Sequence, residues 1–204
     1  MYVKICGLRD PAHAEHAIAC GADAIGVVMS PRSSRHATLT EAAAVLAVAS
    51  GVDTALVVNR MDAAEAARLA TELGFDVLQL HGTYTVADFA AARRIIPRVW
   101  RATSIADDPE LRAGERGEER LLVDGAIPGS GKPWDLTSLD THRLGTEWLL
   151  AGGLDPENVA AAITATAPGG VDVSSGVESA PGVKDPERIA QFISAARQAH
   201  ITIQ

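Results

Sequence analysis

The feature that most constrains the fold is an alternation of apolar, strand-like segments with alanine-rich helical segments, repeated eight times. We predict strands over residues 2–6, 24–29, 54–58, 76–80, 98–102, 120–124, 147–151 and 170–174. We predict helices over residues 11–20, 40–49, 62–73, 85–95, 108–113, 135–143, 156–166 and 185–198. Each strand–helix pair takes roughly 25 residues, a spacing typical of an α/β protein with a parallel sheet.

Eight such units predict a (β/α)8 TIM barrel, formed as a single compact domain over residues 1–204. The strands are almost continuously apolar, as expected for strands that are covered on both faces. A doubly wound open sheet is the alternative arrangement of the same units. The helix over 108–113 fits the pattern least well, because the stretch from Asp107 to Glu119 is charge-rich and contains two glycines.

Several predicted helices begin at residues that favour N-terminal caps. Thr40 stands before a Glu-Ala-Ala run, and Asp62 opens the next predicted helix. Asp155 and Asp185 are each followed by Pro-Glu, which places proline at the first helical position after an aspartate cap.

Charge and hydropathy limit the possible partners. The formal net charge is −8, which argues against nucleic acid and anionic membranes, and no apolar run is long enough to cross a bilayer. A phosphorylated small molecule remains compatible, because backbone N–H groups bind phosphate locally. The chain opens on a strand without a leader, and Cys6 and Cys20 give no disulfide framework. We therefore expect a cytoplasmic protein, either a monomer or a homodimer.

The strand ends carry the groups that suggest chemistry. Cys6 ends the first predicted strand and Asp124 the sixth, and a glycine follows each. In a parallel barrel these ends share one rim, so a thiol and a carboxylate there suggest proton transfer. Lys4 precedes Cys6 by two residues and points the same way. It either tunes the site electrostatically or forms an ion pair inside the barrel.

Glycines and serines after the last strands predict a phosphate site, because small residues let backbone N–H groups approach an anion. The predicted phosphate-binding residues are Gly152, Gly153, Ser174, Ser175 and Gly176, with Gly129, Ser130 and Gly131 after strand 6. The last group is not a Walker loop, since Ala126 replaces a required glycine and Pro133 follows Lys132. The alternative is that these glycines only turn the chain.

Five motifs, in order, resemble those of the phosphoribosylanthranilate isomerase family between residue 3 and about residue 195. They are Lys4-Ile5-Cys6-Gly7, Gln79-Leu80-His81-Gly82, Gly129-Ser130-Gly131-Lys132, Gly152-Gly153-Leu154-Asp155-Pro156-Glu157-Asn158 and Asp172-Val173-Ser174-Ser175-Gly176-Val177-Glu178. The resemblance implies an aldose–ketose isomerase of tryptophan biosynthesis that needs no cofactor and no metal. Its reaction would be the Amadori rearrangement of N-(5-phosphoribosyl)anthranilate to 1-(2-carboxyphenylamino)-1-deoxyribulose 5-phosphate.

The resemblance also implies roles for individual residues. Cys6 matches the general base of the family and Asp124 its general acid. Asp172 matches the aspartate near the reacting end of the substrate. By loop position, Arg35 matches the arginine that pairs with the anthranilate carboxylate, although Arg32 in the same loop competes for that role.

His81 is left open as a contact to the ligand, a hydrogen-bond partner behind it, or a filled core position. The chain departs from the family pattern at Pro128, where many members have glycine. It departs again at Trp134-Asp135-Leu136, where a Phe-Asp-Trp element is frequent. Two other functions stay possible. One is a histidine-pathway aminoaldose isomerase, whose two catalytic aspartates make Cys6 an argument against it. The other is a non-catalytic barrel that binds phosphosugars.

Overall fold

Eight parallel strands form a closed barrel in the computed structural model, which describes residues 1–125 and 139–203, with side chains to residue 199. The strands are β1 (Tyr2–Cys6), β2 (Ala24–Val28), β3 (Asp53–Val58), β4 (Val77–His81), β5 (Val99–Ser104), β6 (Arg120–Asp124), β7 (Trp148–Leu150) and β8 (Gly170–Val173). Strand β1 closes the barrel, with Lys4 opposite Ala24 of β2 and Asp172 of β8. The predicted (β/α)8 barrel is confirmed, and the open sheet is wrong.

Helices lie between most of the strands. They are α1 (Pro11–Ala19), α2 (Leu39–Val48), α3 (Ala63–Leu73), α4 (Val86–Arg93), α5 (Val159–Thr166) and α6 (Pro186–Ile203). Asp62 and Asp185 accept backbone N–H groups of the first turns of α3 and α6, as predicted. The predicted cap at Thr40 is wrong. Thr38 caps α2 instead, because Glu41 stands three residues after it and completes a reciprocal capping box.

The helix between β7 and β8 begins later than predicted. Asp155 accepts the N–H groups of Glu157 and Asn158 at 3.0 and 2.8 Å, which caps a turn that precedes α5. The regular helix then begins at Val159. The aspartate therefore starts a turn, while the helix itself has no side-chain cap at Asn158.

The predicted helix over 108–113 is wrong, because the segment between β5 and β6 runs as turns. Arg101 of β5 is fully buried and pairs with Asp108, which also accepts from Arg116 at 3.2 Å. Gly114 and Gly117 adopt positive φ angles of 78° and 80° and break any helix there. Of the predicted helix over 135–143, residues 135–138 lie outside the described chain, and Thr141–Arg143 forms a 3₁₀ turn.

The barrel interior is filled toward its amino end. Its apolar residues are Ala24, Ala55, Val77, Trp100, Ala102, Leu122 and Leu149. A larger apolar layer lies between the strands and the helices. Trp100 is the largest of these side chains and packs among small and aliphatic residues, while the polar side chains singled out above lie at the carboxyl ends of the strands.

A network of polar residues closes the amino end of the barrel. This amino-end network consists of Tyr2, Asp53, Arg98, Glu119 and Arg120. Tyr2 donates to Asp53 at 2.6 Å, and Arg98 makes two bonds each to Asp53 and Glu119. The Arg120 guanidinium lies 4.3 Å over the ring of Tyr2. No helix in the described ranges is long and apolar enough to cross a membrane.

Candidate active site

A cavity of about 460 Å³ opens at the carboxyl ends of the barrel strands. Most of the residues singled out in the sequence meet there, although they come from strands far apart in the chain. The predicted residues that line it are Cys6, Arg32, Arg35, His81, Asp124, Gly152, Gly153, Asp172, Ser174 and Ser175. This end of the barrel is where (β/α)8 enzymes hold their active sites.

Two parts of the predicted phosphate site, Gly176 and the Gly129-Ser130-Gly131 group, are not among the described residues that line the cavity. Gly176 is described but is not part of the cavity wall. A Cβ there would lie 1.9 Å from the carbonyl oxygen of Leu154, so glycine is needed for the close approach of two loops. Its contact with phosphate stays a prediction. Gly129, Ser130 and Gly131 lie outside the described residues.

Cys6 ends β1 with its side chain turned into the barrel, on the same face as Lys4. Both need the glycine at position 26 of the neighbouring strand. A Cβ on Gly26 would lie 2.9 Å from the Cys6 sulfur and 3.1 Å from the Lys4 nitrogen. The Lys4 ammonium is fully buried and donates to Asp172 Oδ1 at 2.7 Å. The expected ion pair inside the barrel is therefore present, and it lies directly beside the thiol.

Two ammonium groups near Cys6 oppose the effect of its burial but do not cancel it, so the pKa of the thiol is raised. Burial raises the pKa of the Cys6 thiol, and Asp172 raises it further. The ammonium of Lys4, which hydrogen-bonds to the sulfur, and that of Lys184 both favour the thiolate. Burial alone would lower the pKa of Lys4, but Asp172 and Cys6 outweigh it and leave this pKa raised. Lys4 therefore keeps its charge beside the thiol.

Asp124 ends β6 and is buried among the strand ends. Burial raises the pKa of its carboxyl to about 6, and Asp172 adds to the effect, while the N–H of Gly125 opposes it. That N–H donates to Asp124 Oδ1 at 2.8 Å. A carboxyl with this pKa carries its proton in a useful fraction of molecules near neutral pH, which a general acid requires.

His81 faces the same cavity from the end of β4. Its Nε2 lies 3.9 Å from Asp124 Oδ2, which is too long for a hydrogen bond. Burial lowers the pKa of His81, so the imidazole is neutral near pH 7. Nε2 is buried and has no hydrogen-bond partner among the described residues, although the side chain as a whole lines the cavity.

The two arginines of the loop between β2 and α2 differ in their surroundings. Arg32 is exposed. Arg35 is held by Glu178, with Nε 2.6 Å from Oε1 and Nη2 2.9 Å from Oε2. The Arg35 side chain also lies against Gly7, where a Cβ would approach its Cδ to 2.8 Å.

Sequence reasoning missed the segment that holds Arg35. A hairpin of β9 (Glu178–Ala180) and β10 (Val183–Lys184) lies between β8 and α6. The Lys184 ammonium is buried and donates to Glu178 Oε1 at 2.8 Å and to the carbonyl oxygen of Ser174 at 2.7 Å. The Pro181-Gly182 pair was a readable turn signal, but nothing in the spacing indicated what the two charged side chains would contact.

The described residues hold no group of three or more His, Cys, Asp and Glu side chains placed to bind a metal ion. The fold and the site define a (β/α)8-barrel protein that carries a thiol and a protonatable carboxyl in one cavity. This arrangement is typical of enzymes that transfer protons on small substrates.

Comparison with known proteins identifies the family. The model of the N-(5'-phosphoribosyl)anthranilate (PRA) isomerase family matches residues 3–195. The N-(5'-phosphoribosyl)anthranilate isomerase of Paracoccus denitrificans is 46% identical, covering 95% of this chain and 96% of that protein. The crystal structure of TrpF from Jonesia denitrificans superposes with a TM-score of 0.90 at 52% identity and covers 98% of both chains.

A further solved phosphoribosyl anthranilate isomerase is 29% identical, with a TM-score of 0.79 over 97% of this chain and 99% of that one. That protein is in complex with reduced 1-(o-carboxyphenylamino)-1-deoxyribulose 5-phosphate. The chain described here belongs to the N-(5'-phosphoribosyl)anthranilate isomerase family.

Proposed function

We propose that this protein is the isomerase of tryptophan biosynthesis that converts N-(5'-phosphoribosyl)anthranilate into 1-(2-carboxyphenylamino)-1-deoxyribulose 5-phosphate. One observation carries the assignment of the chemistry to residues. A buried thiol, Cys6, and a carboxyl with a pKa of about 6, Asp124, line the same cavity. Family membership supports the reaction, and this pair supplies the acid and the base that it needs.

The first step opens the ribose ring. Asp124, in its protonated form, donates its proton to the ring oxygen as the bond between that oxygen and C1 breaks. The lone pair of the anilino nitrogen forms a double bond to C1, which gives a cationic iminium. Burial supports this role for Asp124, since an aspartate with the ordinary pKa near 4 would hold too little of the acid form at neutral pH.

The second step removes the proton from C2. The Cys6 thiolate accepts this proton, and the electrons of the C–H bond form a C1–C2 double bond while the iminium nitrogen regains its lone pair. The resulting enolamine takes a proton at C1 and releases the proton of its C2 hydroxyl, which gives the ketone. Lys4 and Lys184 favour the thiolate, and the iminium adds a positive charge close to it at the moment when the base acts.

The phosphate group of the substrate requires hydrogen-bond donors in the same cavity. We assign it to the loops after β7 and β8, where Gly152, Gly153, Ser174 and Ser175 line the wall. The small side chains support this assignment because they leave the backbone N–H groups accessible to an anion. Gly129, Ser130 and Gly131 remain proposed donors from the loop after β6.

A fluorescence assay that follows the loss of freshly made N-(5'-phosphoribosyl)anthranilate tests the proposal. Turnover is expected with this substrate. If the protein binds the substrate without consuming it, the proposed isomerase is refuted in favour of a binding barrel. Turnover of the histidine-pathway aminoaldose alone would refute it in favour of that isomerase.

We further propose that residues 1–204 form one domain and act in the cytoplasm as a monomer or homodimer. The closed barrel over the described residues supports the first point. The mass in solution, measured by light scattering, distinguishes the two oligomeric states.

A further inference from the structure

Glu178 occupies an unusual position, because its carboxylate is nearly buried yet takes part in neither proposed proton transfer. Its side chain is 4% exposed. It accepts two hydrogen bonds from Arg35, one from the ammonium of Lys184 and one from the N–H of Gly182 at 3.1 Å. A buried carboxylate with this many donors is held in one orientation.

The cluster formed by Arg35, Lys184 and Glu178 has more cationic than anionic side chains. Two cations, Arg35 and Lys184, share the single carboxylate of Glu178. Burial raises the pKa of Glu178, but the hydrogen bonds from Arg35 and Lys184 outweigh it, so the pKa is lowered and the group is ionised at neutral pH. Burial lowers the pKa of Lys184, and Glu178 opposes this effect. With Lys184 in its ammonium form, the cluster has one positive charge in excess, at the wall of the cavity that Arg35 lines. An anionic group on the ligand would balance it.

The geometry of the Arg35 guanidinium leaves one edge for such a group. A guanidinium offers two edges that match a carboxylate, one formed by Nε and Nη2 and one by Nη1 and Nη2. Glu178 takes the first edge. Nη1 has no hydrogen-bond partner among the residues that the structure describes, and Arg35 lines the cavity.

The same cluster reaches the end of β1. Lys184 donates to the carbonyl and hydroxyl oxygens of Ser174, at 2.7 and 3.2 Å. The Ser174 hydroxyl in turn donates to the carbonyl oxygen of Cys6 at 3.0 Å. The β9–β10 hairpin is thus tied to Arg35 on one side and to the backbone of the thiol-bearing residue on the other.

We propose that Glu178 is a positioning residue for substrate recognition: it fixes Arg35 so that the Nη1–Nη2 edge meets the aryl carboxylate of the substrate. This inference rests on the proposed function, which supplies the carboxylate. Lys184 holds Glu178 through Oε1, the oxygen that also accepts from Arg35 Nε, so the hairpin orients an arginine that belongs to a different loop.

Steady-state kinetics of Glu178→Gln test this role against a purely structural one. The substitution keeps the size of the side chain but loses the charge and one acceptor for the fork. We expect KM for phosphoribosylanthranilate to rise about tenfold, because the arginine is no longer held, while kcat falls by less than about threefold. A structural role alone would lower the unfolding temperature and leave KM unchanged.

The chain offers a matched control at the opposite end of the barrel. Glu119 accepts the same Nε and Nη2 pair from Arg98 at 2.9 and 2.8 Å, far from the cavity. Glu119→Gln is expected to leave both kinetic constants unchanged. A rise in KM for Glu119→Gln equal to that for Glu178→Gln would show that loss of any such pair weakens binding, and would overturn the proposal.

A double-mutant cycle tests whether Glu178 acts through Arg35. In an Arg35→Ala background, Glu178→Gln is expected to add nothing to KM, whereas additive rises would contradict the proposal. If Glu178→Gln does not fold, Glu178→Asp replaces it. The shorter carboxylate keeps the charge but does not reach both donors, and a KM equal to that of the wild type would then overturn the proposal.

Wild-type kinetics separate the two claims. A wild-type protein that does not consume phosphoribosylanthranilate refutes the proposed function itself. Wild-type turnover with unchanged KM in the Glu178 variants refutes the positioning role alone.

Discussion

Two strand aspartates at opposite ends of the barrel, Asp53 and Asp124, have pKa values that are shifted in opposite directions. At the amino end, Asp53 is paired with Arg98 and Tyr2, and hydrogen bonds from Arg98 hold the pKa of its carboxyl below the usual range. At the carboxyl end, Asp124 accepts one backbone N–H, and burial raises its pKa to about 6. The two carboxyls lie in the same sheet, so the difference comes from how deeply each one is buried and from the partners that it has.

This difference separates stability from reactivity within one barrel. A carboxylate that is paired stabilises the fold and resists protonation, whereas one that is buried without a cation destabilises the fold and gains a proton readily. Perturbed pKa values of the second kind are frequent at catalytic sites. The comparison predicts opposite effects for equivalent substitutions at the two ends.

The largest expected effect is on turnover at the carboxyl end. Cys6→Ala and Asp124→Asn are each expected to lower kcat by about 10²–10⁴-fold, or roughly 3–5 kcal/mol, because each removes one of the two proton-transfer groups. Asp53→Asn, at the amino end, is expected to leave kcat unchanged. The fluorescence assay measures all three. Near-normal turnover in Cys6→Ala or Asp124→Asn would contradict the proposed catalytic role of that residue and the contrast with Asp53.

The second effect concerns stability and has opposite signs at the two ends. Asp124 has a raised pKa in the fold, so its charged form is penalised above pH 6, and the penalty vanishes below the unfolded value near 4. Asp124→Asn is therefore expected to stabilise the protein at pH 8 by up to about 3 kcal/mol and to gain almost nothing at pH 4.

Asp53 is the reverse case, because its pKa in the fold is lowered. Its contribution is present above the unfolded pKa and is lost as the pH falls through the folded pKa. Asp53→Asn is expected to destabilise at pH 8 by roughly 1–2 kcal/mol, allowing for partial exposure, and by almost as much at pH 4, because the folded pKa lies below that pH. Urea unfolding at the two pH values measures both variants. A loss of stability in Asp124→Asn at pH 8 would contradict the account.

The smallest effect is on binding. Arg35→Ala is expected to raise KM about tenfold, more than it lowers kcat, because the arginine meets a carboxylate that does not react. Arg32→Ala serves as the comparison within the same loop. If KM rises for Arg32→Ala and stays unchanged for Arg35→Ala, the assignment passes to Arg32.

Much of the fold was readable from local patterns. All eight predicted strands coincide with observed strands to within two residues at either end, because buried parallel strands are continuous apolar runs. The cap at Thr38 was also readable, since Glu41 stands three residues after it, whereas Thr40 lacks such a partner. The helix predicted over 108–113 does not form, because the buried side chain of Arg101 pairs with Asp108 and holds this segment in turns. This contact depends on the tertiary structure, so the local sequence pattern does not reveal it.

The site was predictable in its residue types but not in its electrostatics. Strand ends placed Cys6 and Asp124 on one rim, as the sequence indicated. The raised pKa of Asp124 depends on burial by residues from other strands, which no local pattern reveals. The pairing of Arg35 with Glu178 joins loops 143 positions apart in the chain, so it appears only once the barrel has closed.

Infrared difference spectroscopy of the wild type against Asp124→Asn tests the central claim most directly, because it observes the carboxyl of Asp124 itself. The account predicts a carbonyl band of a protonated carboxyl that disappears with a midpoint near pH 6. A midpoint near pH 4, the ordinary value for aspartate, would show that Asp124 is ionised throughout the working range and would contradict its role as the acid.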